Sequence, residues 1–396
     1  MKTLAERRAE HEKVSRKIEE LGSEGLAAML KDATQVHSGI GGTAVKLEID
    51  GVPVFAKQIA VSDLEMANPE STANLFDLPT YYQYGVGSAG FGAWRELEAH
   101  KMTTDWVLKD ECLNFPLMYG HAVLSREVDK LTGNEQEQAE KIERREKFLQ
   151  GQQEYWGGSH AVRSRIEAIE SASNSVVIFM EAVGRPSGLN PRLDYYIHPQ
   201  ASDGDTTKPD MEMVERELKA TCDFMESKGM IHFDAHHGNI LTDGDRLYFA
   251  DFGLATSLGF DLSTEEREFF EKNRGYDRSL ATAGLSCHPR AESTREELPI
   301  LPEVREVSDR YQAASDRYRT FTKSLREDFT KTTPYPAVEM QELHQQVDSE
   351  EKKGNEESFV EKLGLQKPDE KPRSFVEAMQ AGKYRNIGSK GGAHEL

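Results

Sequence analysis

One stretch, MIHFDAHHGNILTDGDRLYFADFGLA at residues 230–255, constrains the fold of this chain more than any other. It places three histidines, several acids and an asparagine among short apolar runs. The runs ILT and LYFA are joined by the turn sequence DGD, which predicts a β-hairpin. Such a hairpin brings Asp234 and Asn239, on the loop before its first strand, towards Asp251 at the end of its second.

These side chains suit a site that holds a metal ion and a phosphate group. Carboxylate and amide oxygens are the ligands that Mg²⁺ takes from proteins, usually one or two of them together with substrate phosphates. A carboxylate that stays free of the metal can accept a proton from an attacking hydroxyl, and Asp234 is the candidate for that role. A zinc site at His232, His236 and His237 is the alternative, which the adjacency of the last two disfavours.

The composition narrows the remaining classes of protein. The chain has 396 residues, of which 37% are hydrophobic and 30% charged, enough for two lobes with charged segments outside the core. A net charge of −20 argues against nonspecific binding of nucleic acid or an anionic membrane, since both need a positive surface. The three cysteines follow no metal-ligand spacing and the N-terminal residues do not resemble a signal peptide, so we expect a cytoplasmic protein.

The first part of the chain reads as a helix followed by a β-hairpin region. Apolar residues recur at helical spacing from Leu4 to Leu21, and Gly22 is expected to end that helix. Short alternating runs over residues 36–59 predict strands, with a two-residue turn at Asp50-Gly51.

The middle of the chain alternates between helical and strand patterns. Residues 91–102 have helical period, and residues 115–124 and 175–183 predict two buried strands. Between those strands, residues 126–173 form a highly charged insertion that we expect to be solvated helices. A helical stripe of apolar residues then stops at Gly229, just before the polar loop.

At this point HFDAHHGN followed by DFG resembles the catalytic loop and magnesium-binding motif of the protein kinase-like superfamily. The histidine two residues after Asp234 is similar to the aminoglycoside phosphotransferase and choline kinase branch, whereas ADFGLA resembles eukaryotic-type Ser/Thr kinases. Taken whole, the chain is similar to bacterial, actinobacterial-type protein kinase family proteins over roughly residues 36–280.

The resemblance implies an α+β, two-lobed protein kinase-like fold, with a small antiparallel-sheet lobe and a mainly helical large lobe. The expected divisions are a helical extension at 1–33, a small lobe at 34–182 with the insertion 126–173, a large lobe at 183–335 and a charged, partly disordered tail at 336–396.

The resemblance also assigns the catalytic parts. Asp234 is the expected catalytic base, Asn239 and Asp251 hold Mg²⁺, and His232 supports the loop rather than reacting. The segment VPVFAKQI resembles the third strand of the small lobe, which makes Lys57 the ligand of the ATP α- and β-phosphates.

A glutamate on the following helix should pair with Lys57. Glu96 is favoured because Glu96 and His100 fit the family pattern E-x-x-x-H, whereas Glu98 would point about 160° or more around the helix.

The nucleotide-binding residues come from a glycine-rich segment and a hinge. In SGIGGTAVKLEI, glycines would let backbone N–H groups approach the phosphates, and the hinge would meet the adenine through its backbone. Ala44 stands where the pattern has its third glycine and the valine falls one residue early, so the register of the loop stays open. The expected contacts are Gly39, Gly41, Gly42, Val45, Met180, Glu181 and Ala182.

Sequence alone leaves the acceptor open. The expectation from the whole-chain resemblance is transfer from ATP to a protein Ser/Thr hydroxyl. Only seven residues separate Gly253 from Asp261 and no Ala-Pro-Glu motif follows, which favours the alternative of a small-molecule phosphotransferase of the aminoglycoside or choline type. A nucleotide-binding scaffold without turnover is the third hypothesis.

Overall fold

The computed structural model describes residues 2–39, 42–84, 88–126, 134–184, 193, 211–278 and 280–281. The expectations for Gly41, for most of the predicted large lobe beyond residue 281 and for the tail at 336–396 lie outside these residues. Within them the architecture is mixed α+β, with a five-stranded antiparallel sheet and helices.

The helices are α1 (Leu4–Lys31), α2 (Asp63–Met66), α3 (Ala93–Leu108), α4 (Glu135–Tyr155), α5 (His160–Ser171), α6 (Met211–Ser227) and α7 (Thr264–Lys272), with a 3₁₀ turn at Thr80–Gln83. The strands are β1 (Thr34–Gly39), β2 (Gly42–Ile49), β3 (Val52–Val61), β4 (Met118–Ser125), β5 (Asn174–Glu181), β6 (Met230–Ile231), β7 (Ile240–Thr242), β8 (Leu247–Phe249) and β9 (Thr256–Ser257).

The large sheet has the strand order β1-β2-β3-β5-β4, and every neighbouring pair is antiparallel. The turn from β2 to β3 is the predicted Asp50-Gly51, with φ of 53° and 76°. Positive φ at both central residues matches the right-handed twist of a two-residue hairpin, and aspartate and glycine tolerate it well.

The two faces of this sheet carry different helices. Val54 and Ala56 of β3 belong to a core that also contains Val14 and Ile18 of α1. Alternate residues on the other face belong to a core that contains Trp94 and Leu97 of α3. A buried aliphatic side chain of this kind contributes about 1.5–3 kcal/mol, so both helices are firmly attached to the sheet.

Helix α1 consists of two helical stretches that meet at a kink. The helix begins at a capping box formed by Thr3 and Glu6, and it continues to Lys31. Gly22, with φ of 58° and ψ of −176°, is not helical, so the first helical stretch ends there as predicted. A second helical stretch follows directly beyond the kink and contains the buried Leu26, which the sequence analysis did not predict.

The charged insertion forms α4 and α5, and its outer side is largely exposed as expected. Its inner side is not solvated. Trp156, Val162 and Arg165 are buried, and Trp156 packs edge-on against Tyr82 with ring centroids 4.6 Å apart. The insertion therefore docks onto the body of the protein.

None of the described helices is long and apolar enough to cross a membrane.

Candidate active site

The predicted hairpin of the polar stretch is present and sets the geometry of the loop before it. Strands β7 and β8 pair from Ile240 with Phe249 to Thr242 with Leu247. Just beyond this ladder, the Ala250 N–H donates to the Asn239 carbonyl at 3.0 Å. The backbone on either side of the hairpin is thus held together, which brings Asn239 close to Asp251.

Asp234 and Asn239 are in direct contact. The Asn239 side-chain Nδ2 donates to Asp234 Oδ2 at 2.7 Å and to the Asp234 carbonyl at 3.1 Å. With its N–H group committed to Asp234, the amide presents its oxygen as the group suited to a cation. One carboxylate oxygen of Asp234 is fixed by this contact, so the side chain is oriented before any substrate enters.

The backbone of the loop before β7 is held by Asp277, a residue that the sequence analysis did not identify. Asp277, buried and located just after α7, accepts the N–H groups of His232 at 2.6 Å and Phe233 at 2.9 Å. Phe233 has φ of 61°, and Asp251 has φ of 66°. Non-glycine residues rarely adopt positive φ and such strain clusters at functional sites, so the loop needs support of this kind.

His232 supports the loop with both ring nitrogens. Nδ1 accepts the Asp234 N–H at 3.3 Å, and Nε2 donates to the Ala250 carbonyl at 3.1 Å. Burial lowers the pKa of His232 to about 4, so the ring is neutral near neutral pH. The ring also lies 4.6 Å from the buried Phe252 ring, which fixes the residue that follows Asp251.

The predicted lysine lies between two carboxylates. Lys57 Nζ is 2.6 Å from Glu96 Oε1 and 2.7 Å from Asp251 Oδ1. Glu98 points elsewhere, with its carboxylate 3.6 Å from Lys101 Nζ. The preference for Glu96 over Glu98 as the partner of Lys57 is confirmed.

The charges of this group are strongly coupled. Burial alone would lower the pKa of Lys57, but Asp251 and Glu96 outweigh it and raise that pKa. Burial raises the pKa of Glu96 to about 7, although Lys57 acts in the opposite direction. Burial opposes ionisation of Asp251 as well, but Lys57 holds the pKa of Asp251 below its usual range. Lys57 and Asp251 are therefore both charged near neutral pH.

Asp234 has a different electrostatic environment. Burial raises the pKa of Asp234 well above its usual value, the negative charge of Asp251 raises it further, and the hydrogen bond from Asn239 partly offsets both. A carboxylate whose pKa moves towards the working pH is a stronger general base than an ordinary aspartate. Two neighbouring aspartates thus have opposite shifts, which is typical of sites that divide roles between carboxylates.

The glycine-rich segment is placed at one end of the β1–β2 pair, where Gly39 lies opposite Gly42. Gly42 has φ of 116°, and a Cβ atom there would overlap the Gln58 carbonyl of β3. Packing against β3 is therefore sufficient to require glycine at position 42. Gly41 lies outside the described residues.

The structure does not bring Val45 to Lys57. Lys57 pairs with Ala44 of β2, whereas Val45 pairs with Ala56. Paired residues share a face and successive residues alternate, so Val45 lies on the face that packs against α1. Because a one-residue offset reverses the face of a strand, the offset in the glycine-rich pattern turns Val45 away from Lys57. Ala44 is the β2 residue on the Lys57 face.

The predicted hinge residues lie at the end of β5, which includes Met180 and Glu181, and just beyond it at Ala182. Met180 is buried on the same face as Lys57, since Met180 pairs with Phe55, two residues before the lysine. The Glu181 N–H donates to the Leu117 carbonyl at 2.8 Å and is already engaged. Ala182 continues beyond the strand and is half-buried.

The Glu181 side chain makes a contact that the sequence did not predict. The buried Arg7 of α1 pairs with it at 2.7 Å and also donates to the carbonyls of Leu113 at 3.0 Å and Phe115 at 2.6 Å. Arg7 lies on the apolar stripe of α1, and a charged residue at a stripe position is the signal that could have revealed it. Asp277, by contrast, stands in no motif.

The segment after Gly253 is short and buried. Thr256 and Ser257 are buried and pair with Ile231 and Met230, and the buried Phe260 follows. Helix α7 follows, and its N-cap residue Ser263 forms a capping box with Glu266. No serine or threonine of residues 254–261 is exposed.

The chemistry of the donors separates the two metal hypotheses. Among the residues that the structure describes, no group of three His, Cys, Asp or Glu side chains could hold a metal ion. His237 instead bonds the Ala281 carbonyl at 2.8 Å, which removes support for the zinc alternative. A magnesium site needs fewer protein ligands, and the oxygens of Asn239 and Asp251 are of the right kind.

No protein-family model matches the chain, and no curated protein is significantly similar to it.

Proposed function

We propose that this chain is an ATP-dependent phosphotransferase that moves the γ-phosphoryl group to a hydroxyl, on a two-lobed protein kinase-like fold. The single observation that carries the proposal is the convergence of Lys57, Glu96 and Asp251, from three distant segments, at 2.6 and 2.7 Å. A lysine held between a helix glutamate and an aspartate after a hairpin suits the binding of nucleotide phosphates beside a metal ion.

Each side chain then has a role that its contacts support. Lys57 binds the α- and β-phosphates, and Glu96 keeps its ammonium in place. Asn239 and Asp251 would hold Mg²⁺, which supplies charge neutralisation on the phosphates when bound. Asp234, oriented by Asn239 and made more basic by its surroundings, orients the acceptor hydroxyl and takes its proton.

Transfer to a protein Ser/Thr hydroxyl, expected from the whole-chain resemblance, stays a prediction. One observation favours the second candidate, a small-molecule acceptor. Residues 254–257 after Gly253 are buried, and the segment is tied to its neighbours by bonds from Gln83 to the Leu254 carbonyl and from Asp261 N–H to Thr72 at 2.9 Å. So short and largely buried a segment offers little length along which an extended peptide could bind.

The test separates transfer from nucleotide binding. Asp234→Asn preserves shape but removes the charge, so Mg²⁺-dependent ATP binding should persist while transfer falls by roughly 10²-fold or more. Nucleotide affinity and transfer of labelled phosphate would be measured in parallel, with the protein itself and a cell extract divided by size as acceptors. Asp245→Asn, on the exposed turn between β7 and β8, is the matched control and should change neither.

Two outcomes would contradict the proposal. A parent protein that binds ATP but transfers phosphate to no fraction, with an unchanged Asp234→Asn variant, would favour the non-catalytic scaffold. Transfer by the variant at the parent rate would remove Asp234 as the base. Transfer confined to the small-molecule fraction would support the second acceptor class, and labelled protein would support the first.

A further inference from the structure

Each of the first four residues of α3 bonds to a residue outside the helix. The first two bond to Glu65, and the next two form ion pairs with other segments. The Ala93 N–H donates to Glu65 Oε1 at 3.0 Å, and the Trp94 indole Nε1 donates to the Glu65 carbonyl at 2.9 Å. Arg95 pairs with Glu266 of α7 at 2.6 Å, and Glu96 pairs with Lys57 at 2.6 Å. The helix that presents Glu96 is thus fixed at its first turn.

Glu65 is the centre of this attachment. It is almost fully buried, and its carboxylate faces the N-terminus of α3, where a negative charge is favourable. The close approach depends on Gly92, which has φ of 152° and where a Cβ atom would lie 2.9 Å from Glu65 Oε1. The capping interactions of Ser62, at 2.9 Å from its N–H and 2.7 Å from its hydroxyl, orient the same side chain.

A residue of the charged insertion completes the arrangement. Arg165 of α5 is 1% exposed, and its Nη1 donates to Glu65 Oε2 at 2.7 Å. Its guanidinium lies over the Phe76 ring, 5.0 Å from the centroid. Removal of one partner from a buried ion pair is strongly destabilising, so loss of Arg165 would weaken the arrangement around Glu65.

We propose that Arg165 is a positioning residue: through Glu65 it fixes the first turn of α3, and therefore Glu96 against Lys57, from within the chain. The insertion acts as a clamp that is built into the chain. The contacts form a continuous chain that links α5 to Glu65 and Glu65 to Ala93, which lies one helical turn from Glu96. The catalytic consequence rests on the proposed phosphotransferase function, but the clamp itself does not.

Hydrogen exchange tests the clamp without any assay of activity. In Arg165→Met, amides of Ala93–Leu97 should exchange about tenfold faster or more, as expected for loss of a charge-assisted bond, while those of β5 should stay protected. Arg165→Lys keeps a cationic donor and should restore part of the protection. Arg163→Met is the matched control on the same helix, because Arg163 pairs outward with Glu146 at 2.9 Å, and it should leave α3 unchanged.

Three results would overturn the clamp: unchanged exchange at α3 in Arg165→Met, equal acceleration in α3 and β5, or the same effect from Arg163→Met. The second would show that Arg165 only adds global stability. Should Arg165→Met fail to fold, the comparison of Arg165→Lys with the parent decides by the same local difference. In the activity arm, kcat/KM for ATP should fall in Arg165→Met and recover partly in Arg165→Lys. A parent without transfer would contradict the proposed function while the exchange result still decides the clamp.

Discussion

Asp251 combines an unusual backbone with an unusual set of contacts. Its φ of 66° lies in the left-handed region, and its half-exposed carboxylate bonds Lys57 at 2.7 Å. Alanine at this φ would add strain of about 1 kcal/mol, whereas asparagine tolerates it. Asp251→Asn is therefore a cleaner test of charge than Asp251→Ala.

We expect Asp251→Asn to retain less than about a tenth of the Mg²⁺-dependent transfer, because a neutral amide oxygen binds the metal more weakly than a carboxylate, and loss of that charge should cost several kcal/mol in the transition state. The thermal midpoint should change little. Asp110→Asn is the control, since Asp110 also has a positive φ, 62°, but is exposed after α3. Both rates and midpoints would be measured, and an Asp251→Asn variant as active as the control would exclude the metal role.

Among single residues, those that stand in a sequence motif were predictable, and those that stand in no motif were not. Lys57 and Glu96 were found because a strand and a helix each present a recognisable pattern. Val45 was misplaced because a one-residue offset in a strand reverses the face, and pattern matching tolerates such an offset. Asp277 acts on backbone N–H groups, which leave no mark in the sequence.

At the scale of elements, the Lys57–Glu96 contact joins β3 to α3 and predicts non-additive kinetics. Lys57→Met and Glu96→Gln should each impair transfer, and the double variant should lose much less than the product of the single losses. The reason is that Glu96 acts only through Lys57, so its removal matters little once the lysine is gone.

The control for this cycle pairs Lys57→Met with Arg145→Met, because Arg145 contacts Glu170 on the exposed insertion. Those two effects should multiply. The measured quantity is kcat/KM for ATP in all variants, and fully multiplicative losses for Lys57→Met and Glu96→Gln would show that the two residues act independently.

Elements were predictable where a local rule decides them. The turn at Asp50-Gly51, the cap at Ser263 and the β7–β8 hairpin follow from the preferences of a few adjacent residues. The second helical stretch of α1, after Gly22, and the docking of α5 were not predictable. Both depend on partners far along the chain, such as Glu65 for Arg165, and a charged helix gives no indication of which cation is buried.

At the scale of the whole molecule, buried ion pairs connect segments that lie far apart in sequence. Arg7 joins α1 to the end of β5, and Arg95 joins α3 to α7. Each pair carries a desolvation cost that good geometry must offset, so their value lies in fixing the relative positions of elements as much as in stability. Loss of one partner leaves a buried charge, and such variants are expected to be destabilised by about 3–5 kcal/mol.

Asp277 also predicts how the stability of the whole molecule depends on pH. Its burial outweighs the hydrogen bonds from His232 and Phe233 and raises its pKa to about 7. In the unfolded chain the same group should ionise at about pH 4. Between those values the folded state holds a proton that the unfolded state has lost, so the free energy of unfolding falls as pH rises and levels off above about pH 7.

Asp277→Asn isolates this effect, because the amide cannot ionise. Its single oxygen replaces only one of the two carboxylate acceptors of the His232 and Phe233 N–H groups, so the variant is destabilised by an amount that does not depend on pH. The stability of the variant relative to the parent should therefore increase from about pH 5 to about pH 7, by at most about 1.4 kcal/mol per pH unit, and then stay constant. Other titrating groups, including Glu96 with its pKa of about 7, are present in both proteins and largely cancel in the difference.

Urea unfolding at several pH values measures this difference in the free energy of unfolding. Asp245→Asn at the exposed turn is the control and should show no such slope. Parallel stability curves for parent and Asp277→Asn would mean that Asp277 stays ionised throughout, and that its hydrogen bonds to His232 and Phe233 outweigh its burial.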